Sequence, residues 1–237
     1  MFIRAMFLIV SGGQPPGRAL IARKAKQARR IIAADAGARV CLENGITPDL
    51  VVGDMDSLGE EVLGRLEGAG VPLKTFDTDK DRTDTEIAFD EAVHAGASSI
   101  ELLGALGMRT DHAIANIHLL LKAQRRGVPS FIVTDTELVF VVDTETCIES
   151  EGGHVVSFLP LTDTVEGIVL DGFLYPLEGA SMEIGRPYGV SNVLLEGRSL
   201  VSVGKGALLG LIVFSEGVRG VRVMTRRPDG AMVCADR

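Results

Sequence analysis

Between residues 5 and 133 the chain repeats one pattern: a short apolar run, a loop, then a segment with helical periodicity. The strand-like segments fall at residues 5–10, 31–34, 50–52, 71–76, 100–103 and 130–133. A short, continuously apolar run bounded by turn residues, such as residues 50–52, fits a strand buried on both faces of a parallel sheet. The helical segments between them, at residues 18–30, 38–44, 60–67 and 84–95 and again after Thr110, supply the right-handed crossovers such a sheet needs. Near Glu137 the pattern stops. Short β-rich segments follow at residues 138–142, 154–158, 164–170, 200–203 and 208–214, punctuated by glycine and proline, and residues 221–237 read as a final strand and a frayed tail. The expected fold is therefore α/β. A Rossmann-like parallel sheet with helices on both faces takes residues 1–136, and an all-β sandwich or barrel takes residues 137–237.

Local signals sharpen this outline. Gly45 stops the second helix. Thr83 and Glu86 form a capping box that puts Asp84 in the first turn of its helix. Thr110 caps the helix that carries Ile114, Ile117 and Leu121 on one face. The basic side chains of residues 18–30 read as a solvated face.

Open α/β sheets bind ligands beyond the carboxyl ends of their strands. Four successive strand ends carry reactive-looking loops: Asp35 with Gly37, Asp54 with Asp56, Asp81 with Asp84, and Arg109 with Asp111. An isolated Asp-x-Asp is an ordinary polar loop; repetition on one sheet edge is what distinguishes these. Converging hard oxygens suit Mg²⁺, which takes one or two carboxylates plus substrate phosphates. An arginine beside them stabilises charge that develops on the transferring group, so the chemistry indicated is metal-assisted phosphoryl-type transfer. His112 is a phosphate contact or an acid on one reading and a packing residue on the other. Ser11, Gly12 and Gly13 either cradle a nucleotide or form a tight turn, since no P-loop lysine follows. His118 sits among leucines and reads as structural, and His94 and His154 have no motif around them. No Gly-x-Ser-x-Gly element occurs, and no cysteine has a local histidine partner, so covalent catalysis lacks support.

Composition excludes further classes. A formal charge of −8 argues against a nucleic-acid partner. Cys41, Cys147 and Cys234 are odd in number and widely spaced, which points to reduced thiols in a cytoplasmic setting, not to disulfides or zinc. The opening apolar run is short, contains Arg4 and leads into Ser11 and Gly12, so it reads as a strand and not as a signal peptide. No apolar run is long enough to cross a membrane.

With these residues in place, the chain resembles the thiamine pyrophosphokinases over nearly its whole length. The resemblance rests on residues 34–38, on residues 48–57 with their Gly-Asp-x-Asp-Ser element, on residues 80–84, and on residues 104–112 with their Arg-x-Asp-His element. Residues 172–177 and 189–192 are similar to the family's C-terminal motifs. It implies transfer of pyrophosphate from ATP to the hydroxyl of thiamine with release of AMP. It also implies Mg²⁺, a nucleotide-binding catalytic domain followed by a thiamine-binding and dimerisation domain, and a homodimer with thiamine held between chains. By motif, Asp54, Asp56 and Asp84 are the metal and catalytic carboxylates, with Asp35 in support and Arg109 and Asp111 at the site's edge. Gly12, Gly13, Gly37, Asp81, Thr83 and His112 fall to the nucleotide, and Tyr175, Ser191 and Asn192 to thiamine. The family usually has glycine where this chain has Ala36 and Met108. Lacking tryptophan, the chain must stack any aromatic contact on thiamine from Tyr175 or Phe173. Two alternatives stay open: a related diphosphokinase for another hydroxymethyl heterocycle such as a pterin, and a non-catalytic thiamine or nucleotide binder.

Overall fold

The computed structural model describes residues 5–76, 81–186, 188–214 and 220–236. Asp77, Thr78, Asp79 and Lys80 of the acidic loop, and Arg237 of the tail, lie outside the described residues. The chain divides into two units, Met1–Leu119 and Leu120–Arg237.

In the first unit strands and helices alternate: β1 (Met6–Val10), α1 (Arg18–Gln27), β2 (Arg30–Ala34), α2 (Gly37–Glu43), β3 (Leu50–Gly53), α3 (Gly59–Gly68), β4 (Leu73–Thr75), α4 (Asp84–His94) and β5 (Ser99–Leu103). The strands lie in the order β5-β1-β2-β3-β4 and every pairing is parallel. Leu8, Ile9, Ile32, Val51, Val52, Ile100 and Leu102 are buried, as continuous apolar runs in a parallel sheet must be. After β1 the chain adds strands on one side and then returns to place β5 on the other. The chain therefore leaves β1 and β5 toward opposite sides of the sheet, and the carboxyl ends of these two strands form the switch point at which open α/β sheets place a cleft. The Thr83 cap forms as expected, its Oγ1 accepting from the Glu86 amide at 3.2 Å.

Three expectations need correction. The run at residues 71–76 is not a buried strand: β4 has three half-buried or exposed residues at the sheet edge. There Lys74 pairs with Glu91 at 2.7 Å, a charged rim of the kind that blocks further strand pairing. The basic face of α1 is not wholly solvated. Lys24 is fully buried, and its Nζ lies 2.9–3.0 Å from both carboxylate oxygens of Glu101 on β5. Helix α5 (Thr110–Arg125) starts one residue earlier than a Thr110 cap requires, with the Arg109 carbonyl accepting from Ala113 at 3.1 Å. Its buried stripe is Asn116, Leu119, Leu120 and Ala123, which leaves Ile114 and His118 exposed.

The second unit is antiparallel. One set of strands runs β6 (Ser130–Val133), β7 (Glu137–Val142), β14 (Leu208–Val213), β9 (Val155–Pro160), β12 (Asn192–Val193). A second sheet runs β11 (Leu177–Glu183), β10 (Thr164–Asp171), β13 (Gly197–Ser202), β8 (Glu145–Ser150), β15 (Val221–Arg226), β16 (Met232–Asp236). Their inward residues, among them Phe140, Ile148, Phe158, Val201, Ile212 and Val223, form the core. The expected strand and frayed tail after Val221 is a two-strand hairpin turning at Pro228, Asp229 and Gly230.

The Lys24–Glu101 pair gives a stability prediction. Lys24→Met strips the buried Glu101 of its ammonium partner and should cost about 3–5 kcal/mol in unfolding free energy. Lys24→Met combined with Glu101→Leu should recover most of that loss, because an apolar pair of similar volume needs no compensation. Urea titration of the three proteins checks it. Equal losses in the single and double variants would show that the pair is not the source.

Candidate active site

The carboxyl edge of the first unit closes around a cleft of about 210 Å³. Its walls come from the loops after β1 (Ser11, Gly12, Gly13), β2 (Asp35, Ala36) and β5 (Gly104 to Arg109), from the start of α4 (Thr83, Asp84, Thr85), and from His112 and Asn116 of α5. These loops are locked together at backbone contact. A β-carbon on Gly37 would fall 1.9 Å from the Val10 carbonyl oxygen, and one on Gly104 would fall 2.3 Å from that of Ser11. Glycine is required at both positions, and at Gly104 the φ of +64° adds a second reason. Ser11 and Gly13 donate their amides to Leu103 and Gly104 of the β5 loop at 2.9 and 2.8 Å. The first loop is thus braced by its neighbour, and those two amides are already engaged.

At the end of β3 the chain turns sharply, and Asp35, Asp54 and Asp56 converge. Each offers an oxygen within 4.8 Å of the others, the one such group among the described residues. Asp35 is set by a left-handed backbone (φ +46°), and Ser57 Oγ donates to its Oδ2 at 2.8 Å. Its other oxygen, Oδ1, is buried without a hydrogen-bond partner. A buried carboxylate oxygen left without a donor needs a cation or a proton. The Asp56 carboxyl is held above the ordinary carboxylate range, first by its hydrogen bond with Asp54, then by the charge of Asp54, with burial and Asp35 adding to it. Hard oxygens, crowding and an unmet acceptor together fit a small divalent cation such as Mg²⁺. Asp84 lines the cleft but is not in this trio; Asp81 is exposed and outside the lining.

At the mouth of the cleft Arg109 and Asp111 form a two-point pair, Nε to Oδ1 at 3.1 Å and Nη2 to Oδ2 at 2.5 Å. The Arg109 guanidinium, helped by the His112 amide, lowers the Asp111 carboxyl to about 2. Thr83 faces the same cleft with its oxygen engaged in the helix cap, and Gly37 lies behind it as a packing residue.

In the second unit Tyr175, Ser191 and Asn192 are brought together. Buried Asn192 accepts from the Tyr175 amide at 3.0 Å and donates to the Tyr175 carbonyl at 2.7 Å, holding that loop as a strand partner would. Tyr175 is 62% exposed, whereas Phe173 is 3% exposed and packs edge-on against Phe158. Tyr175 therefore keeps a free aromatic face and Phe173 does not. Ser191 is exposed and left-handed (φ +61°).

Comparison with known proteins places this arrangement. The family model for the thiamin pyrophosphokinase catalytic domain matches residues 21–132, and the one for the thiamin pyrophosphokinase vitamin B1 binding domain matches residues 145–208. Thiamine pyrophosphokinase of Bacillus subtilis (strain 168) is 31% identical over 180 residues, 75% of this chain and 84% of the relative. The chain belongs to the thiamine pyrophosphokinase family. The crystal structure of the Bacillus subtilis thiamine pyrophosphokinase superposes with a TM-score of 0.79 at 28% identity, covering 89% of this chain and 99% of that one. The thiamin pyrophosphokinase of Geobacillus thermodenitrificans gives 0.78 at 30% identity, covering 90% and 99%.

Two positions of the cleft, Ala36 and Met108, carry side chains where the family usually has glycine. Ala36 has ordinary helical backbone (φ −53°, ψ −17°), so its methyl costs no strain. Met108 is left-handed (φ +59°) and 84% exposed at the cleft rim. Sequence reasoning missed Asn116, whose Nδ2 donates to the Ala105 carbonyl at 2.8 Å, and the buried Ser11–Thr85 hydroxyl pair at 3.0 Å. Asn116 did leave a signal: it lies four residues after His112, a polar residue at helical spacing on a face otherwise apolar. Met108→Gly should relieve left-handed strain and raise unfolding free energy by up to about 1 kcal/mol, glycine's entropy offsetting part of the gain. Thermal melts check this, and a lower melting temperature would mean the exposed side chain holds contacts of its own.

Proposed function

We propose that the chain transfers the pyrophosphoryl group of ATP to the hydroxyl of thiamine, giving thiamine diphosphate and AMP, with Mg²⁺ as cofactor. Family membership supports the reaction. Within the structure, the observation that carries it is the convergence of Asp35, Asp54 and Asp56 beside a cleft that also holds Arg109. We assign catalysis to residues 1–136 and thiamine binding and dimerisation to residues 137–237, a division close to the gap between the two matched family models. Cys41 and Cys147, both buried thiols, with Cys41 raised to about 12 by burial, fit a reducing cytoplasmic setting.

Asp35, Asp54 and Asp56 would hold the metal, with Asp84 facing the same cleft. Bound there, Mg²⁺ would act as a Lewis acid on the phosphate oxygens. The protein's own groups do the rest. The loops after β1 and β5 set the walls between which the triphosphate lies. Arg109, oriented by Asp111, offers donors to oxygens that gain charge as the bridging bond between the α and β phosphates breaks. The thiamine hydroxyl oxygen forms the new bond at the β phosphorus and loses its proton to water, while AMP leaves with the electron pair of the broken bridging bond. In the second unit the exposed ring of Tyr175, its backbone fixed by Asn192, suits a cationic thiazolium.

Incubating the protein with ATP, Mg²⁺ and thiamine should yield AMP and thiamine diphosphate. Asp54→Asn should fold normally yet lose at least about a hundredfold in turnover. ADP with thiamine monophosphate as first products would refute pyrophosphoryl transfer, and a pterin accepted in place of thiamine would redirect the substrate.

A homodimer through the second unit is also proposed. Large apolar side chains are exposed there in two groups: Ile184, Tyr188 and Val190 after β11, and Leu174 and Leu195 beside the Tyr175 loop. Apolar exposure grouped in this way supports an association surface there. Ile184→Glu with Tyr188→Glu should convert a dimeric sedimentation profile to a monomeric one. A monomeric wild-type protein would overturn the assignment.

A further inference from the structure

We propose that Arg39 is a positioning residue for the metal-binding loop, tying the backbone just after Asp56 to helix α2. The proposal rests on Asp35, Asp54 and Asp56 being the cation site.

Arg39 lies in the first turn of α2, where the helix dipole disfavours a cation and an acidic residue is the usual occupant. α2 has no acid in that turn and no side-chain cap. The arginine is thus ill-suited to its own helix, and its contacts lie elsewhere. Its Nη2 donates to the carbonyl of Ser57 at 3.0 Å and to that of Leu58 at 3.0 Å. Both carbonyls directly follow Asp56. From the opposite direction Ser57 Oγ donates to Asp35 Oδ2 at 2.8 Å. The turn from Met55 to Leu58 is therefore pinned twice, through its backbone by Arg39 and through a side chain by Ser57.

The turn needs such pinning. Three carboxylates with oxygens inside 4.8 Å repel one another until a cation is bound. Met55 holds a left-handed φ of +66°, which opening of the loop would relax. Both effects push the loop outward, and the Arg39 bonds oppose them. Because Arg39 binds carbonyls, the carboxylate oxygens stay available to the cation. An arginine that paired with Asp54 or Asp56 directly would compete with the metal for the same atoms.

The test uses Mn²⁺ alone as probe, followed by electron paramagnetic resonance, with no substrate and no turnover. Removal of an outer partner that orients metal ligands weakens affinity about ten- to a hundredfold. Arg39→Met should show a loss of that size with a melting temperature near that of the wild type, and Arg39→Lys, which keeps a charged donor, should recover part of it. Asp54→Asn serves as the control for the site itself. A folded Arg39→Met that binds Mn²⁺ as tightly as the wild type overturns the proposal. So does an equal loss in both Arg39 variants accompanied by lower melting temperatures, since that marks a general structural role. If Asp54→Asn binds Mn²⁺ like the wild type, the cation site is elsewhere and the proposal falls with it, distinguishably from a failure of Arg39 alone.

Discussion

Three carboxylates crowded within 4.8 Å are the constraint around which the first unit is built. Like charges this close separate unless the backbone leaves them nowhere to go. The parallel sheet supplies that restraint by bringing β1, β2, β3 and β5 to one edge with no slack between their loops. Gly37 sits against the Val10 carbonyl and Gly104 against that of Ser11, at distances no β-carbon tolerates. Loops in such contact cannot drift apart one at a time. The cost appears as strain: Asp35 and Met55 occupy the left-handed region, at about 1–3 kcal/mol each for residues other than glycine. The buried sheet beneath absorbs it.

What was legible in the sequence follows from which signals are local. The Thr83 cap needs only Glu86 three residues on, and the buried parallel strands β1, β2, β3 and β5 need only their own apolar residues, so these were found where expected, whereas buried β8 was not. Lys24 was not, because its partner Glu101 lies 77 residues away and nothing near Lys24 distinguishes a buried lysine from a solvated one. β11 also escaped. It is an edge strand with mostly exposed or half-buried residues, and without a buried face it has no alternation to read. The β15–β16 hairpin is a different case. Its Pro-Asp-Gly turn between two alternating runs was in the sequence, and reading the stretch as one strand and a tail passed over that signal.

The site was legible by residue type and less so by role. Aspartates at strand ends were enough to locate the cleft, but which of them converge depends on backbone direction, and spacing does not encode it. Asp35 joins Asp54 and Asp56 because a φ of +46° turns it toward β3, a conformation open to aspartate but not signalled by it. Asn192 shows the same limit in the second unit. Its residue type suits a substrate contact, yet its amide is engaged with the Tyr175 backbone, so its influence on a ligand passes through that loop.

Both units place their strained residues in the same kind of position. Among the described residues, the non-glycine residues with positive φ are Asp35, Met55, Met108 and Ser191, and each stands in a loop that carries a site motif. Strain by itself does not make a site; the reason lies in side-chain direction. A left-handed residue reverses the chain within one step while still projecting a β-carbon, which glycine cannot do. Asp35 uses the projection to present a carboxylate, and Met55 uses the reversal to bring Asp54 and Asp56 back toward each other. At Ser191 the turn sets Asn192 inward, where its amide can meet Tyr175. Met108 is the exception that tests the rule: it has the strain and the rim position, but its side chain is exposed and forms no hydrogen bond. Backbone reversal there is needed to aim Arg109, and glycine would supply it without strain. The methionine side chain is therefore the one feature of these four turns that the geometry of the cleft does not require.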